Sequence, residues 1–268
     1  MIRETVVAGT FYPQEKNVLK KEIKDFFKDV EKRKFQLVIS PHAGYVYSGK
    51  TAAHAIGSLM TAKKFIVLGP NHNVMGSDFS IFLDGEWVTP LGNVNINSTL
   101  AKELLKCDII KDDEIAHEYE HSIEVQLPLI QHIVEDFSFV PISIKNMDYS
   151  KDFLNKCEIL GKHIANIIKD NNINVIASSD FSHYVPSDVA DDKDGAAIEK
   201  IKSLDPDGFF EVLDKVNASV CGYGSIAVLM YVAKELKMKT VKVIDHSDSG
   251  DVSGDKSSVV AYYAIGFK

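Results

Sequence analysis

Histidines follow the ends of three predicted strands in this 268-residue chain. His42 comes directly after an apolar run that stops at Pro41, and His72 follows a second run that stops at Pro70. His183 lies four residues beyond a third run. In open α/β sheets, ligands bind outside the carboxyl ends of parallel strands. If the three strands are parallel and adjacent, the three imidazoles meet in one crevice, where they can bind a metal ion or transfer protons.

A carboxylate lies close in sequence to one of these histidines. Asp180 and His183 are three residues apart, a spacing that lets two side chains meet on one helical turn. A histidine beside a carboxylate is a common general acid or base in enzymes. Asp180 is also a good N-cap residue, so the same pair alternatively marks the start of a helix.

Residues 117–121 read HEYEH and match the zinc-protease signature H-E-x-x-H, in which two histidines one helical turn apart bind zinc. Such a protease also needs a third ligand further along the chain and a buried helix. The charged run at 111–114 instead indicates solvent exposure, so we do not favour a protease. His121 and Glu124, three residues apart on the next predicted helix, are better candidates for the wall of a pocket.

The three cysteines are an odd number without a CxxC pair, which predicts reduced thiols rather than a disulfide framework. Cys221 differs from the others because it lies just before an apolar helix, in the run SVCGYG at 219–224. A helix N-terminus lowers the pKa of a thiol and favours the thiolate. From spacing alone, a small buried apolar residue is an equally good interpretation of Cys221.

Alternating strands and helices must position these side chains. Apolar runs typical of strands lie at 35–40, 65–69, 138–144 and 174–179, with a shorter β region at 79–96 and two final strands. Helices are predicted at 15–31, 48–60, 98–106, 120–135, 150–170, 193–216 and 223–237. Pro128 is expected to bend the fourth of these helices. The pattern predicts an α/β fold with a central mixed, largely parallel sheet and helices on both faces.

Composition narrows the class of protein. The hydrophobic fraction of 45% is ordinary for a globular protein, and neither an internal repeat nor a linker interrupts the chain, so we predict one domain over residues 1–268. Thirty basic against 38 acidic residues give a net charge of −8 without a basic block, which argues against nucleic-acid binding. The apolar stretches are strand-sized and no signal peptide is recognisable, so we predict a cytoplasmic protein that does not enter a membrane.

Over nearly its whole length, the chain resembles the Memo family. The stretches that carry the resemblance are SPHAGYVYSG at 40–49, LGPNH at 68–72, EHSIEVQLP at 120–128, SSDFSHY at 178–184, CGYG at 221–224 and SGDVSGDKSSVVAYYA at 249–264. The resemblance implies a fold similar to that of class III extradiol ring-cleaving dioxygenases, an α/β sandwich around a mixed sheet.

The resemblance also implies a metal site. Its ligands would be two histidines and a cysteine, which carry over onto His42, His72 and Cys221. The residues implied to line the same site or to lie near it are Asp180, His183, His121 and Glu124. The implied metal is iron or copper, with zinc as a further option. Ring-cleaving dioxygenases hold Fe(II) with two histidines and a carboxylate, whereas a thiolate favours copper(I), zinc or a different iron chemistry, so ring cleavage is not expected.

Three functions are compatible with these observations. The first is a metal-dependent redox enzyme with an unidentified small-molecule substrate, in which His183, oriented by Asp180, moves a proton. The second is a metal-handling protein without catalysis. The third is a module that binds a peptide or partner in a degenerate dioxygenase-like pocket. The resemblance adds a functional link to radical-SAM proteins, because family members often occur beside them in microbial genomes.

Overall fold

The computed structural model describes residues 1–31 and 34–268, which form alternating strands and helices. The strands are β1 (Ile2–Arg3), β2 (Leu37–Ser40), β3 (Lys64–Pro70), β4 (Phe79–Ile81), β5 (Glu86–Trp87), β6 (Val94–Ile96), β7 (Lys111–Asp112), β8 (Ser138–Ile144), β9 (Ile173–Ser178), β10 (His183–Val185), β11 (Val241–Asp248) and β12 (Val259–Phe267). The helices are α1 (Lys16–Phe26), α2 (Tyr45–Gly57), α3 (Ser98–Leu104), α4 (Ile115–Glu118), α5 (Leu127–Ile133), α6 (Lys151–Ile168), α7 (Ser187–Lys202), α8 (Pro206–Val216), α9 (Tyr223–Glu235) and α10 (Gly250–Ser253), with a 3-10 helix at Glu124–Gln126.

Four adjacent parallel strands form the centre of the sheet, in the order β8, β3, β9, β2. The register pairs Ser40 with Ser178 and Leu68 with Ala177, so these strands end at one edge. Antiparallel pairs flank the centre, with β12 beside β2 and β4 beside β8. The structure therefore confirms the predicted mixed, largely parallel sheet.

Helices cover the central strands. Every residue of β2 and of β9 is buried, as expected for strands with both faces covered. Helix α9 packs on β2, β3 and β9, and α6 packs against α9. Helix α2 packs on β2, β11 and β12, with α1 and α5 beside it. Among the described residues, no helix is both long and apolar enough to cross a membrane.

Two predicted helices are divided or shifted. The region 120–135 contains a turn, the 3-10 helix and then α5. Pro128 lies in the first turn of α5, where a missing N–H costs no helical hydrogen bond, so it starts this helix rather than bending it. The region 193–216 belongs to α7 and α8, which are separated at Leu204, a residue with a left-handed backbone (φ 52°).

We expect the contact between α6 and α9 to depend on Gly161. A Cβ atom at this position would lie 2.5 Å from Tyr231 Cβ and 2.9 Å from the carbonyl oxygen of Val228. Gly161→Ala should therefore lower the free energy of unfolding in urea by about 1–3 kcal/mol, although alanine is the better helix former. As a matched control, Gly195→Ala in α7 meets no atom within 4 Å and should raise stability by up to about 1 kcal/mol. Equal effects of the two substitutions would contradict this description of the interface.

Candidate metal centre

The carboxyl edge of the central strands gathers the histidines that the sequence analysis singled out. His42 follows β2 and His72 follows β3, and both strands pair with β9. The ring centroids of His42 and His72 are 5.3 Å apart. His121 reaches the same place from the turn after α4, with its ring stacked on that of His72 at 4.8 Å. The predicted convergence of strand-end histidines is therefore present in the fold.

Three side chains place metal-ligand atoms together. One ligand atom from each of His42, His72 and Cys221 lies within 4.8 Å of the other two, and Cys221 Sγ is 3.2 Å from His42 Nε2. His42 is buried, whereas the side chain of His72 is 34% exposed, so this group of atoms is reached from solvent. Two imidazoles and a thiol are a donor set that suits iron, copper or zinc.

The ring of His42 is oriented by Ser178. His42 Nδ1 lies 2.9 Å from Ser178 Oγ, and this hydroxyl donates its own proton to the carbonyl of Ser122 at 2.6 Å. Ser178 Oγ must therefore accept a hydrogen bond from Nδ1–H, which leaves the lone pair on Nε2 facing Cys221. Burial lowers the pKa of His42, and the neighbouring histidines lower it further, so the ring is neutral and able to bind a metal.

Glu120 orients the ring of His72 in the same way, although no sequence motif had identified this residue. Its Oε1 lies 2.9 Å from His72 Nδ1, and its Oε2 accepts the His72 backbone N–H at 2.6 Å. Burial disfavours the Glu120 carboxylate, but His72, His121 and the Ser122 N–H together outweigh burial and hold the pKa of Glu120 at about 2. Burial likewise opposes protonation of His72, yet Glu120 raises the pKa of this ring.

The HEYEH segment that contains Glu120 does not form a zinc-protease helix. Helix α4 ends at Glu118, before the second histidine of the motif. His117 is fully buried among aromatic rings, and burial lowers its pKa to about 3. His121 instead faces His72. The useful signal in this segment was the second glutamate, which the motif H-E-x-x-H leaves unspecified.

Cys221 is held by backbone hydrogen bonds to Asp180 and by the side chain of Asn146. The backbone N–H of Asp180 donates to Cys221 Sγ at 3.1 Å, and the N–H of Cys221 donates to the Asp180 carbonyl at 3.2 Å. The amide of Asn146 donates to the Cys221 carbonyl and accepts the N–H of Gly224 at 3.2 Å. Asn146, which follows β8, therefore closes the turn that leads into α9.

The protonation of Cys221 distinguishes the thiolate from the buried thiol, the two interpretations that the sequence left open. Burial, and then the charge of Asp180, raise the pKa of this thiol well above its usual range. The nearby start of α9 does not offset these two effects. The isolated site therefore holds a protonated thiol, and metal binding would release its proton.

Asp180 and His183 both lie at the site, but not on one helical turn. Asp180 Oδ1 accepts the backbone N–H of His42 at 2.8 Å, and burial raises the pKa of Asp180 to about 6. His183 begins β10, and its Nδ1 donates to the carbonyl of Ser219 at 2.7 Å. Ligand atoms of Asp180, His183 and Cys221 also lie within 4.8 Å of one another. The Ser219 carbonyl thus orients the His183 ring through Nδ1, and the orientation of His183 by Asp180 stays a prediction.

Glu124 belongs to a buried ion pair rather than to the pocket wall. Its Oε2 lies 2.7 Å from Arg3 Nη1, and its Oε1 accepts the Tyr12 hydroxyl at 2.6 Å. The backbone N–H groups of Val6 and Val7 also donate to this carboxylate. With both oxygens occupied, Glu124 ties the N-terminal segment to the 3-10 helix and does not form the pocket wall that the sequence predicted.

The fold and this site together define a class: an α/β protein with a candidate His/His/Cys metal centre at the carboxyl edge of a mostly parallel sheet. A family model described as Memo-like protein matches residues 3–266, and the chain belongs to this family. The predicted resemblance to the Memo family is therefore confirmed.

Relatives in this family match along their whole length. The chain is 42% identical to a MEMO1 family protein of Methanosarcina barkeri, over 98% of this chain and 99% of that protein. It is 41% identical to a MEMO1 family protein of Thermoplasma volcanium, over 99% and 98%. An uncharacterized protein of Escherichia coli K12 has a similar fold, with a TM-score of 0.59 and 12% identity over 87% of this chain and 99% of that chain.

Removing the charge of Glu124 should strongly destabilise the protein. The side chains of Arg3 and Glu124 are 4% and 0% exposed, so Glu124→Gln leaves a buried guanidinium without its counter-ion. We expect a loss of about 3–5 kcal/mol in the free energy of unfolding. Glu103→Gln, which breaks an exposed pair with Lys106, should change it by at most about 0.5 kcal/mol. Urea titration of both variants checks this, and comparable losses would show that burial does not strengthen the first pair.

We also expect Asn146 to restrict access to Cys221. Asn146→Ala removes both hydrogen bonds that close the turn before α9, so the rate of Cys221 modification by a disulfide reagent should rise about tenfold, assigned by mass spectrometry. Asn172→Ala, which removes a distant hydrogen bond to the Thr61 carbonyl, is the control and should leave this rate unchanged. An unchanged rate in Asn146→Ala would mean that the turn is held by its other contacts.

Proposed function

We propose that the protein is a metal-dependent redox enzyme that binds iron or copper, with zinc as a further option, and acts on a small molecule. The observation that carries this proposal is the set of donor atoms from His42, His72 and Cys221 within 4.8 Å. Both imidazoles have one nitrogen engaged by a neighbouring residue, as is typical of histidines that bind metals.

The chemistry of the donors fits a redox metal. A thiolate and two imidazoles are soft enough for copper(I) and also suit iron, and a bound ion of either kind would supply one-electron chemistry at this edge of the sheet. The third candidate donor, Cys221, is a thiol, whereas class III extradiol dioxygenases use a carboxylate as the third ligand. Ring cleavage is therefore not part of the proposal.

Groups beyond the three donors favour catalysis over simple metal storage. His183 commits its Nδ1 proton to the Ser219 carbonyl, so its Nε2 is available to accept a proton beside Cys221. The 34% exposure of His72 gives a substrate access to the same atoms. A protein that only stores a metal does not need a free base beside the donors.

The metal content of anaerobically purified protein tests the site. We expect near-stoichiometric iron or copper in the wild type and its loss in His42→Ala and Cys221→Ala, because each substitution removes one donor. His163→Ala is the control, since this histidine contacts the Glu103 carbonyl on α3, away from the site. Metal absent from every preparation, or retained in both donor variants, would contradict the proposed centre.

The catalytic part of the proposal has a separate readout. His183→Ala should retain the metal but lose turnover with a panel of oxidants and small-molecule substrates, because the proton acceptor is gone while the donors remain. Metal-loaded wild type without turnover on any of these would favour a metal-handling role instead.

A further inference from the structure

A groove of about 490 Å³ lies between the N-terminal segment 1–6 and residues 114–119. Apolar side chains from both segments line it, and several are open to solvent: Ile2 is 58% exposed, Ile115 55% and Tyr119 55%. Val6 and Phe82 add to the same wall. A concentration of exposed apolar side chains in one concave surface is typical of an interaction site.

The rim of this groove is acidic. Glu4, Glu114 and Glu118 line it, and none of them forms an ion pair with a residue in the described ranges 1–31 and 34–268. Arg3, a cation within the lining, is already paired with Glu124 and also donates to three backbone carbonyls. The groove therefore presents, beside an apolar wall, three carboxylates that lack an ion-pair partner among the described residues.

The groove also borders the edge of the sheet. Strand β1 pairs with β5 and stands at the end of the strand order. Within the part of the chain that the structure describes, no strand pairs with the second edge of β1. An extended peptide can add to such an edge through its backbone while alternate side chains point to opposite sides.

We propose that this groove binds an extended peptide segment of a partner protein in which basic residues alternate with apolar ones. The two-residue period of a strand directs the apolar side chains against Ile115 and Tyr119 and the basic ones toward the three glutamates. A second copy of this chain is a poor occupant, because its net charge of −8 would be repelled by an acidic rim. The inference goes beyond the proposed metal chemistry and does not rest on it.

Fluorescence anisotropy with labelled pentapeptides tests the assignment. The probe has the sequence valine-lysine-valine-lysine-valine, and its partner carries glutamate in place of each lysine. The lysine peptide should bind the full-length protein, more weakly at high salt, and the glutamate peptide should not bind. No binding of the lysine peptide up to about 1 mM, or equal binding of both peptides, would overturn the proposal.

Charge reversal locates the binding. The double variant Glu114→Lys with Glu118→Lys should weaken binding of the lysine peptide about tenfold, since each exposed charge pair contributes modestly. Glu135→Lys with Asp170→Lys makes the same change in net charge outside the groove and should have a much smaller effect. Equal weakening by both double variants would show that net charge alone attracts the peptide, which overturns the site.

A substitution in the apolar wall of the groove and competition by a small polyamine test the remaining parts of the proposal. Tyr119→Ser should weaken binding of the peptide, whereas Ile159→Ser, which removes a similarly exposed apolar side chain on α6, should not. His42→Ala should leave peptide binding unchanged, which separates this groove from the candidate metal centre. Displacement of the peptide by spermidine at the same concentration would assign the groove to a small polyamine and overturn the peptide assignment.

Discussion

Parallel pairing of β2, β9 and β3 is the constraint on which the rest of the site depends. Because parallel strands point the same way, the loops that carry His42, Asp180 and His72 must leave from one edge. The continuous burial of these strands leaves the pairing little freedom to slip, since a shift would expose apolar side chains. Loops from other parts of the chain then bring Cys221 and His121 to the same edge.

Polar groups around the site hold the two histidine rings and the Cys221 loop in defined positions. The ring of His42 depends on Ser178, that of His72 on Glu120, and the loop of Cys221 on Asn146. Each of these polar groups has a hydrogen-bond partner, because an unpaired one would cost about 1–3 kcal/mol. The network therefore restricts the rotamers of the three candidate donors, as hydrogen bonds around metal-binding side chains commonly do.

Burial has different consequences at the candidate metal centre and at the N-terminal segment. Burial keeps His42 neutral and Cys221 protonated, so a metal ion that bound here would have to displace a proton from the thiol. At the N-terminal segment, Arg3 and Glu124 form a buried ion pair in which each is the counter-ion of the other. That ion pair holds the N-terminal segment against residues 117–124. Because Arg3 is already paired with Glu124, it does not compensate the glutamates that line the acidic groove.

The α/β class, the central strands and the histidines at their ends could be predicted from the sequence, because continuous apolar runs and prolines are patterns of neighbouring residues. It left Cys221 between two interpretations until the family resemblance was considered. Only the tertiary structure revealed Glu120, Asn146 and Ser219, whose partners lie 48, 75 and 36 residues away in the chain. The structure also showed that Glu124 belongs to a buried ion pair and not to the pocket wall. Contacts across such separations, and the burial that sets each pKa, exist only once the strands have paired and the helices have packed on them.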